Sequence, residues 1–273
     1  MFLEEAFIYN LCHYYPKQNQ HLTMKRLAIL VSYVMVLCTG AMAQSNHTHG
    51  HMLSVNHLQI KESLNYGLVF KGPGLGYKYS SLWENKRRIM EYTGALSLNV
   101  PLTRGIISGS VNLVPARFDY RIKFDPEGKV SFGPYVILDY NMMIYPDLQS
   151  GYTFWLTNYS LGGVLSGWFT SKENRFDLCL HFTVMGFTSR TEPYDDPYFF
   201  SGSFGDLIGD LRSDLTFNPG RYTVNEIELK WTPNPSSRLA YGYSFRYHGY
   251  FQEPELNMIN HSVIIHFLPK KDK

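Results

Sequence analysis

Residues after Gln44 alternate between apolar side chains and polar or small ones. Over residues 238–248, the even positions carry small or polar side chains, and the odd positions carry Leu239, Tyr241, Tyr243, Phe245 and Tyr247. Successive side chains of a β-strand point to opposite faces, so this segment is predicted to be a strand with one aromatic face. The alternation recurs at residues 88–101, 175–184, 226–231 and 260–267. The pattern predicts an all-β protein.

The content of the two faces separates a membrane barrel from a soluble sandwich. The polar face of a sandwich meets water and is typically rich in Thr, Lys and Glu, whereas the polar face of a membrane barrel lines its lumen. Here that face carries Gly, Ala, Ser and isolated charges. We therefore predict a closed antiparallel transmembrane β-barrel over residues 57–268, with a periplasmic sandwich as the alternative.

The predicted strands number about ten. They cover residues 58–70, 75–83, 88–101, 106–124, 130–145, 152–170, 175–190, 221–232, 238–251 and 257–268. Pro115 interrupts the fourth strand, so the sequence allows either a bulge within ten strands or a split that gives twelve. The glycines of residues 72–76 are predicted to form a tight turn between the first two strands.

The connections between the strands predict an orientation. Four of them are short and polar, at residues 84–86, 125–128, 171–174 and 233–236. One is long, at residues 191–220. Barrels of this kind have short periplasmic turns and longer outer loops, so the long connection is predicted to lie outside the cell.

The start of the chain has the parts of a secretory signal. Met24, Lys25 and Arg26 precede the apolar run 27–38, and Ala41-Met42-Ala43 follows it. Because this run is shorter than the roughly 17 to 25 residues of a membrane-spanning helix, we predict a signal peptide at residues 24–43 rather than a permanent anchor. Residues 1–23 are an upstream extension that is predicted not to be structural. Residues 44–56 are predicted to be a flexible His-containing segment, and residues 269–273 a basic tail.

Composition and charge narrow the possible functions. Charged residues make up 18% of the chain, below the roughly 25% of a soluble globular protein, and aromatic residues make up 16%. The net charge is +2 without a long run of Lys or Arg, which argues against nucleic-acid binding. Cys179 is the one cysteine after the predicted cleavage site, so the mature chain can form no internal disulfide.

Several features of the sequence resemble those of a known class of membrane protein. The Ala-Met-Ala sequence before Gln44, the aromatic alternating strands and a last strand that closes on Phe267 resemble small outer-membrane β-barrels of Gram-negative bacteria, particularly Bacteroidota-type ones. The resemblance implies an outer-membrane location, contact with outer-membrane lipid and insertion by the barrel-assembly machinery. No cofactor is predicted. Residues 268–273 depart from the usual ending on the terminal aromatic residue.

The predicted inner face concentrates charge, which keeps these side chains away from lipid. Mutual ion pairing is the simplest expectation for them, and a conduit for small solutes is the alternative. The predicted lumenal charges are Glu91, Arg117, Asp119, Arg121, Asp139, Asp177, Glu226, Glu228, Arg238 and Arg246.

Two segments resemble parts of outer-membrane enzymes. The region around His248 resembles that of outer-membrane lipid A deacylases, in which a Ser follows the His by two residues, but Tyr250 stands in that place. The acidic loop with Asp195 and Asp196 resembles the outer rim of omptin proteases, although no Asp-x-His pair accompanies it. Catalysis would require these aspartates, His248 and His266 to converge in one cleft.

A possible metal site lies near the predicted cleavage site. His47, His49 and His51 occupy alternate positions, and neutral imidazoles bind zinc, copper or nickel. We favour adventitious binding by a flexible terminus over a functional metal site.

Our leading functional hypothesis is a structural, adhesive or narrow-conduit barrel. The alternatives are a surface enzyme acting on lipid A or peptides, and a surface binding protein that uses residues 191–220.

Overall fold

The computed structural model describes residues 46–63, 67–125, 127–145, 152–190, 216–217, 222–234, 237–251 and 255–268. The predicted signal peptide, the upstream extension, the basic tail and most of residues 191–220, with Asp195 and Asp196, lie outside the described residues. Within the described ranges, no helix is long and apolar enough to span a membrane.

The described strands form one antiparallel sheet, and ten of them close into a barrel. The ring runs β1-β2-β3-β6-β7-β8-β9-β11-β12-β13, and β13 pairs with β1. The predicted fold class is confirmed, with ten barrel strands rather than twelve. The strands are β1 (Asn46–Glu62), β2 (Val69–Glu84), β3 (Arg88–Asn99), β4 (Leu102–Thr103), β5 (Ile106–Ile107), β6 (Gly109–Lys123), β7 (Val130–Tyr145), β8 (Tyr152–Ser171), β9 (Asn174–Arg190), β10 (Thr216–Phe217), β11 (Tyr222–Thr232), β12 (Leu239–Tyr250) and β13 (Leu256–Phe267).

The alternation in the sequence corresponds to the outer and inner faces of the barrel. On β12, Tyr241 and Tyr243 are each 43% exposed, whereas Ala240 is fully buried and Ser244 is 8% exposed. The same contrast holds on β13, where Val263 is 64% exposed and Ile264 is 5% exposed. The outward positions are therefore mostly apolar, and the inward positions carry small and polar side chains together with some buried apolar ones.

The short turns lie at one end of the barrel, which we call the turn end. They comprise residues 85–87, 124–129, 172–173 and 233–238, and the barrel begins and finishes at this end. The opposite end, the loop end, carries the remaining connections, including the hairpin formed by β4 and β5. All four predicted short turns thus lie at the same end.

Two of these turns are closed by a side chain that accepts backbone amides. The Oδ1 atom of Asn85 accepts hydrogen bonds from the amides of Arg87 and Arg88 at 2.9 and 2.8 Å. The Asp125 carboxylate accepts the amides of Lys129 and Val130, each at 2.9 Å. These two amides hold the pKa of Asp125 below its usual range.

The first strand begins earlier than predicted. Residues 46–56 belong to β1 rather than to a flexible segment, and β1 pairs with β2 from Asn46 to Lys61. The barrel therefore starts at Asn46, not at residue 57. The alternation was missed because the outward positions 47, 49 and 51 carry histidines, which do not contrast in polarity with the inward residues between them.

The glycines of residues 72–76 lie inside β2 rather than in a turn. A Cβ atom at Gly72 would collide with the backbone of Val100 and Pro101, and one at Gly74 would collide with Asn99. Glycine is therefore required where the end of β3 passes close to β2. The connection between β1 and β2 lies instead at residues 63–68.

Pro115 lies at a bulge and does not split its strand. The pairing register shifts between Leu113 and Ala116 on the β7 side of β6, and opposite Thr93 and Ala95 on the β3 side. The Tyr92 hydroxyl donates to the freed Pro115 carbonyl at 2.7 Å. β6 then continues to Lys123.

Candidate functional site

The lumen has three layers along the barrel. An apolar cluster occupies the loop end, a network of paired charges occupies the middle, and a polar cavity opens toward the turn end. Each layer is built from the inward positions of several strands, because alternate residues of every strand face the lumen.

The apolar cluster crosses the lumen. The rings of Phe70 on β2 and Tyr145 on β7 lie 4.9 Å apart, although β3 and β6 separate these strands in the sheet. Ile106, in the hairpin of β4 and β5, packs against the cluster. Within the described residues this layer closes the loop end of the lumen. Its members are Leu58, Ile60, Phe70, Met143, Tyr145, Leu156, Tyr222, Val224, Tyr250, Leu256 and Met258.

The charge network begins at Asp139, which is fully buried. Its Oδ2 atom pairs with Nη2 of Arg246 at 2.8 Å, and its Oδ1 atom accepts Nδ2 of Asn112 at 2.6 Å. The same Asn112 nitrogen lies 2.7 Å from Oδ1 of Asn141. Both carboxylate oxygens are thus bonded, as a buried charge requires.

The network continues from β12 to β6. Nε of Arg246 lies 3.8 Å from Oε2 of Glu226, and Nη1 of Arg117 bonds the same oxygen at 3.1 Å. Nε of Arg117 also lies 3.7 Å from Oδ1 of Asp119. Two arginines and three carboxylates therefore connect four strands across the middle of the lumen.

His181 extends the network toward the turn end. Its Nε2 atom lies 2.9 Å from Oδ2 of Asp119, and since a carboxylate only accepts, Nε2 donates the proton. The Cys179 sulfur lies 3.8 and 3.9 Å from the two ring nitrogens, so no single N–H is aimed at it. The ring of Tyr135 packs edge-on at 5.2 Å.

Three further pairs line the wall nearer the turn end. Lys78 bonds Glu228 at 2.5 Å, and Lys230 lies 3.3 Å from Asp177. The third pair joins Nη2 of Arg121 to Oε2 of Glu91 at 2.6 Å. A cavity of about 270 Å³ lies among these pairs and reaches the turn end. Nε2 of His266, which borders this cavity, makes no hydrogen bond to the described part of the chain.

Nine of the ten predicted lumenal charges make ion pairs inside the barrel: Glu91, Arg117, Asp119, Arg121, Asp139, Asp177, Glu226, Glu228 and Arg246. The tenth, Arg238, is exposed in a turn, where its carbonyl accepts the Leu268 amide at 2.8 Å. The sequence did not single out Lys78, His181 or Lys230. Lys78 was missed because its inward neighbours on β2 are glycine and serine, so the strand shows little contrast.

The two candidate catalytic histidines do not converge. His248 is 4% exposed, lies 3.0 Å from the Tyr222 hydroxyl and 3.6 Å from Asp139, and belongs to the closed part of the lumen. His266 lines the cavity at the turn end. His248 pairs with Met258 on β13, and Met258 lies eight positions from His266 along that strand. This separation corresponds to about 26 Å of extended strand. Tyr250 belongs to the apolar cluster.

The three N-terminal histidines lie on the outer surface near the turn end. His47 stacks on Trp83 with ring centroids 5.0 Å apart, and Nδ1 of His51 lies 2.7 Å from the Tyr77 hydroxyl. Successive imidazoles, with His49 between the others, are 6.2 and 6.3 Å apart. The described residues contain no group of three or more His, Cys, Asp or Glu placed to hold a metal ion.

The sequence matches no protein-family model and no curated protein. Among solved structures, the chain is similar to the translocator domain of the autotransporter NalP from Neisseria meningitidis, with 7% identity, a TM-score of 0.42, and coverage of 90% of this chain and 96% of that chain. The beta domain of the Bordetella autotransporter BrkA is 8% identical with a TM-score of 0.43, and the alignment covers 81% of this chain and 100% of that chain. The outer membrane protease OmpT from Escherichia coli is 8% identical with a TM-score of 0.41, and the alignment covers 82% of this chain and 96% of that chain. With TM-scores this low, the similarities carry no argument about function. The ring of paired strands itself identifies the barrel.

Proposed function

We propose that the chain is an outer-membrane β-barrel with a closed lumen, which serves as a structural or adhesive scaffold that holds its loop-end segments at the cell surface. Export through the predicted signal peptide and insertion by the barrel-assembly machinery belong to this proposal. The Bacteroidota-type character stays a prediction from the sequence.

The membrane location is supported by the distribution of polarity. The outer face exposes large apolar side chains on all ten barrel strands, such as Leu53, Leu98, Leu165, Val184 and Val263. Soluble monomers rarely expose apolar patches larger than a few hundred Å². The inner face is polar and ion-paired, which is the arrangement expected when lipid surrounds the barrel.

The closed lumen is the reason that we propose a scaffold rather than a conduit. An ion that entered the cavity from the turn end would meet the charge network, in which Asp139 and Arg117 are already paired. Beyond it, the cluster is mostly apolar, and an ion loses its hydration there at a high cost in free energy.

Planar-bilayer recording of the purified barrel tests this closure. We expect no steady conductance at any voltage for the native chain. A variant with Phe70→Ser, Tyr145→Ser and Arg246→Ser removes side chains from both layers and should conduct. An outward-facing control, Leu165→Ser, should stay silent. Steady current through the native barrel would refute the closed lumen.

Deletion of residues 192–215 tests the scaffold role. Cells that carry the full chain should adhere to a host-cell or abiotic surface, and the deletion should remove adhesion while the barrel still reaches the outer membrane. Equal adhesion by both strains would count against an adhesive role.

The enzymatic alternative makes a different prediction, because it requires lipid A or a peptide to change chemically in the presence of the barrel. We expect mass spectra of lipid A to be identical for the native chain and for His248→Ala.

A further inference from the structure

Two lysines lie side by side on the outer face near the loop end. Lys61 on β1 pairs with Val69, and Lys71 on β2 pairs with Gln59, so the lysines are diagonal neighbours across the two strands. Diagonal neighbours are about 7 to 8 Å apart, within reach of long side chains. Both lysines are exposed, and neither makes an ion pair with another described residue.

On β1 and β2, the lysines lie on the loop-end side of the last pair of exposed apolar residues. This pair is Val55 and Leu75, which are 60% and 68% exposed. Lys71 lies four residues before Leu75 on β2, about 13 Å of strand and about 10 Å along the axis of a tilted barrel. A lysine also extends its ammonium group past apolar surface toward water. In the proposed membrane location, this position of the two ammonium groups fits the level of lipid headgroups.

Exposed apolar side chains adjoin the lysines. Leu102 pairs with Lys71 and is 50% exposed, and Val100 is 52% exposed beside it. The Val100 amide donates to the Pro73 carbonyl at 2.9 Å, which holds this segment against β2. A lipid would use both kinds of neighbour, with its headgroup on the lysines and its chains on the apolar residues. A free anion would use only the lysines.

A polar residue and an acidic residue complete the surroundings. Asn257 on β13 lies opposite Lys61, and its Oδ1 accepts the Tyr247 hydroxyl at 2.7 Å, so its NH₂ group is what it offers to a ligand. Glu255 is also exposed, and its carbonyl accepts the Ser63 amide at 3.0 Å, which places it near the end of β1. Its carboxylate opposes an anion and partly offsets the lysines.

We propose that Lys61 and Lys71 form a clamp for the phosphate of a phosphorylated lipid in the outer leaflet, with Leu75, Val100 and Leu102 against its acyl chains. This inference rests on the proposed membrane location. Each lysine near an anionic lipid surface contributes about 1 kcal/mol, which corresponds to about a fivefold change in affinity for one lysine and about thirtyfold for both.

The test uses the full barrel in phosphatidylcholine nanodiscs that contain increasing amounts of lipid A, with native mass spectrometry to count bound lipid. Lys61→Gln with Lys71→Gln should weaken lipid A binding about thirtyfold. A matched variant at the turn end, Lys86→Gln with Lys172→Gln, should bind as the native chain does. Dephosphorylated lipid A should bind all three proteins equally weakly. Glu255→Gln should tighten binding of the phosphorylated form.

Equal lipid A binding by the clamp variant and the turn-end variant would overturn the clamp. So would inorganic phosphate that displaces lipid A with an affinity as high as that of the lipid, since the site would then be one for a soluble anion. Entry into nanodiscs is scored separately by co-elution with lipid. A native chain that stays outside overturns the membrane location and the clamp with it, whereas entry with equal binding overturns the clamp alone.

Discussion

Arg246 and Asp139 bond to each other across the lumen, with Nη2 and Oδ2 at 2.8 Å. They lie on β12 and β7, which are not neighbours in the sheet, so the bond ties opposite walls of the barrel together. Asp139 is fully buried, and Asn112 occupies its other oxygen. The interior is therefore cross-linked by side chains as well as closed by strand pairing.

Removal of one member of this pair should destabilise the barrel. In Asp139→Leu, Arg246 loses its shortest contact and keeps the longer ones with Glu226 at 3.8 Å and with Oδ1 of Asn112 at 3.4 Å. Breaking a buried pair costs about 3 kcal/mol. Urea unfolding of the detergent-solubilised protein measures this loss. The double variant Asp139→Leu with Arg246→Leu should regain a large part of the loss, because no unpaired charge is left. The exposed pair Lys129 and Glu127 serves as a control whose removal should leave unfolding unchanged. Strictly additive losses at Asp139 and Arg246 would contradict the coupling.

Gly133 should not tolerate a side chain. A Cβ atom there would collide with the Tyr120 carbonyl, where β6 and β7 approach closely. We expect Gly133→Ala to lower the free energy of unfolding by about 2 to 3 kcal/mol, since overpacking forces the backbone to shift. At Gly109 the space around the Cβ position is empty, so Gly109→Ala should be neutral or slightly stabilising. Similar unfolding curves for the two variants would show that β7 can move away from Tyr120.

The sequence predicts the barrel strands where the two faces differ in polarity. On β12 and β13 the contrast is strong, and the predicted faces match the exposed and buried positions. On β2 the inward residues include Gly72, Gly74 and Gly76, which are neither apolar nor charged, so its start was misplaced. Gly72 and Gly74 are required because the end of β3 passes close by, and Gly76 faces Ser54 on β1. These are tertiary causes that a local pattern does not contain.

The contents of the lumen were predictable as a set but not as pairs. Alternation placed Asp139 and Arg246 on the inner face. Their bond joins residues 107 positions apart on strands that are not adjacent, so it depends on how the ring of strands closes. The apolar cluster was not predicted, because inward apolar residues such as Phe70 and Leu256 resemble outward ones in an isolated strand.

The turn at residues 124–129 should loosen in acid. Its amides of Lys129 and Val130 hold the pKa of the exposed Asp125 below the usual range, so the ionised carboxylate stabilises the turn. This contribution is complete above the ordinary aspartate pKa of about 4 and declines as the pH falls through the lower folded value. Hydrogen exchange of these amides, corrected for intrinsic rates, should rise over that window.

Asp125→Asn keeps an acceptor and should remove the pH dependence. The turn at Asn85, where a neutral amide makes the same contacts, is the internal control. A parallel rise in both turns would point to general unfolding.

The orientation predicted for the barrel places the loop end outside the cell and the turn end in the periplasm. Phe251 is exposed at the loop end and Lys86 at the turn end, so a cysteine at each position reports one side. In a Cys179→Ser background, we expect a maleimide coupled to a polymer too large to cross the outer membrane to label Phe251→Cys on intact cells and to leave Lys86→Cys unlabelled. After the outer membrane is permeabilised, both should react. Labelling of Lys86→Cys alone on intact cells would reverse the orientation. It would also place Lys61 and Lys71 on the periplasmic side, where the proposed clamp would face the inner leaflet of the outer membrane.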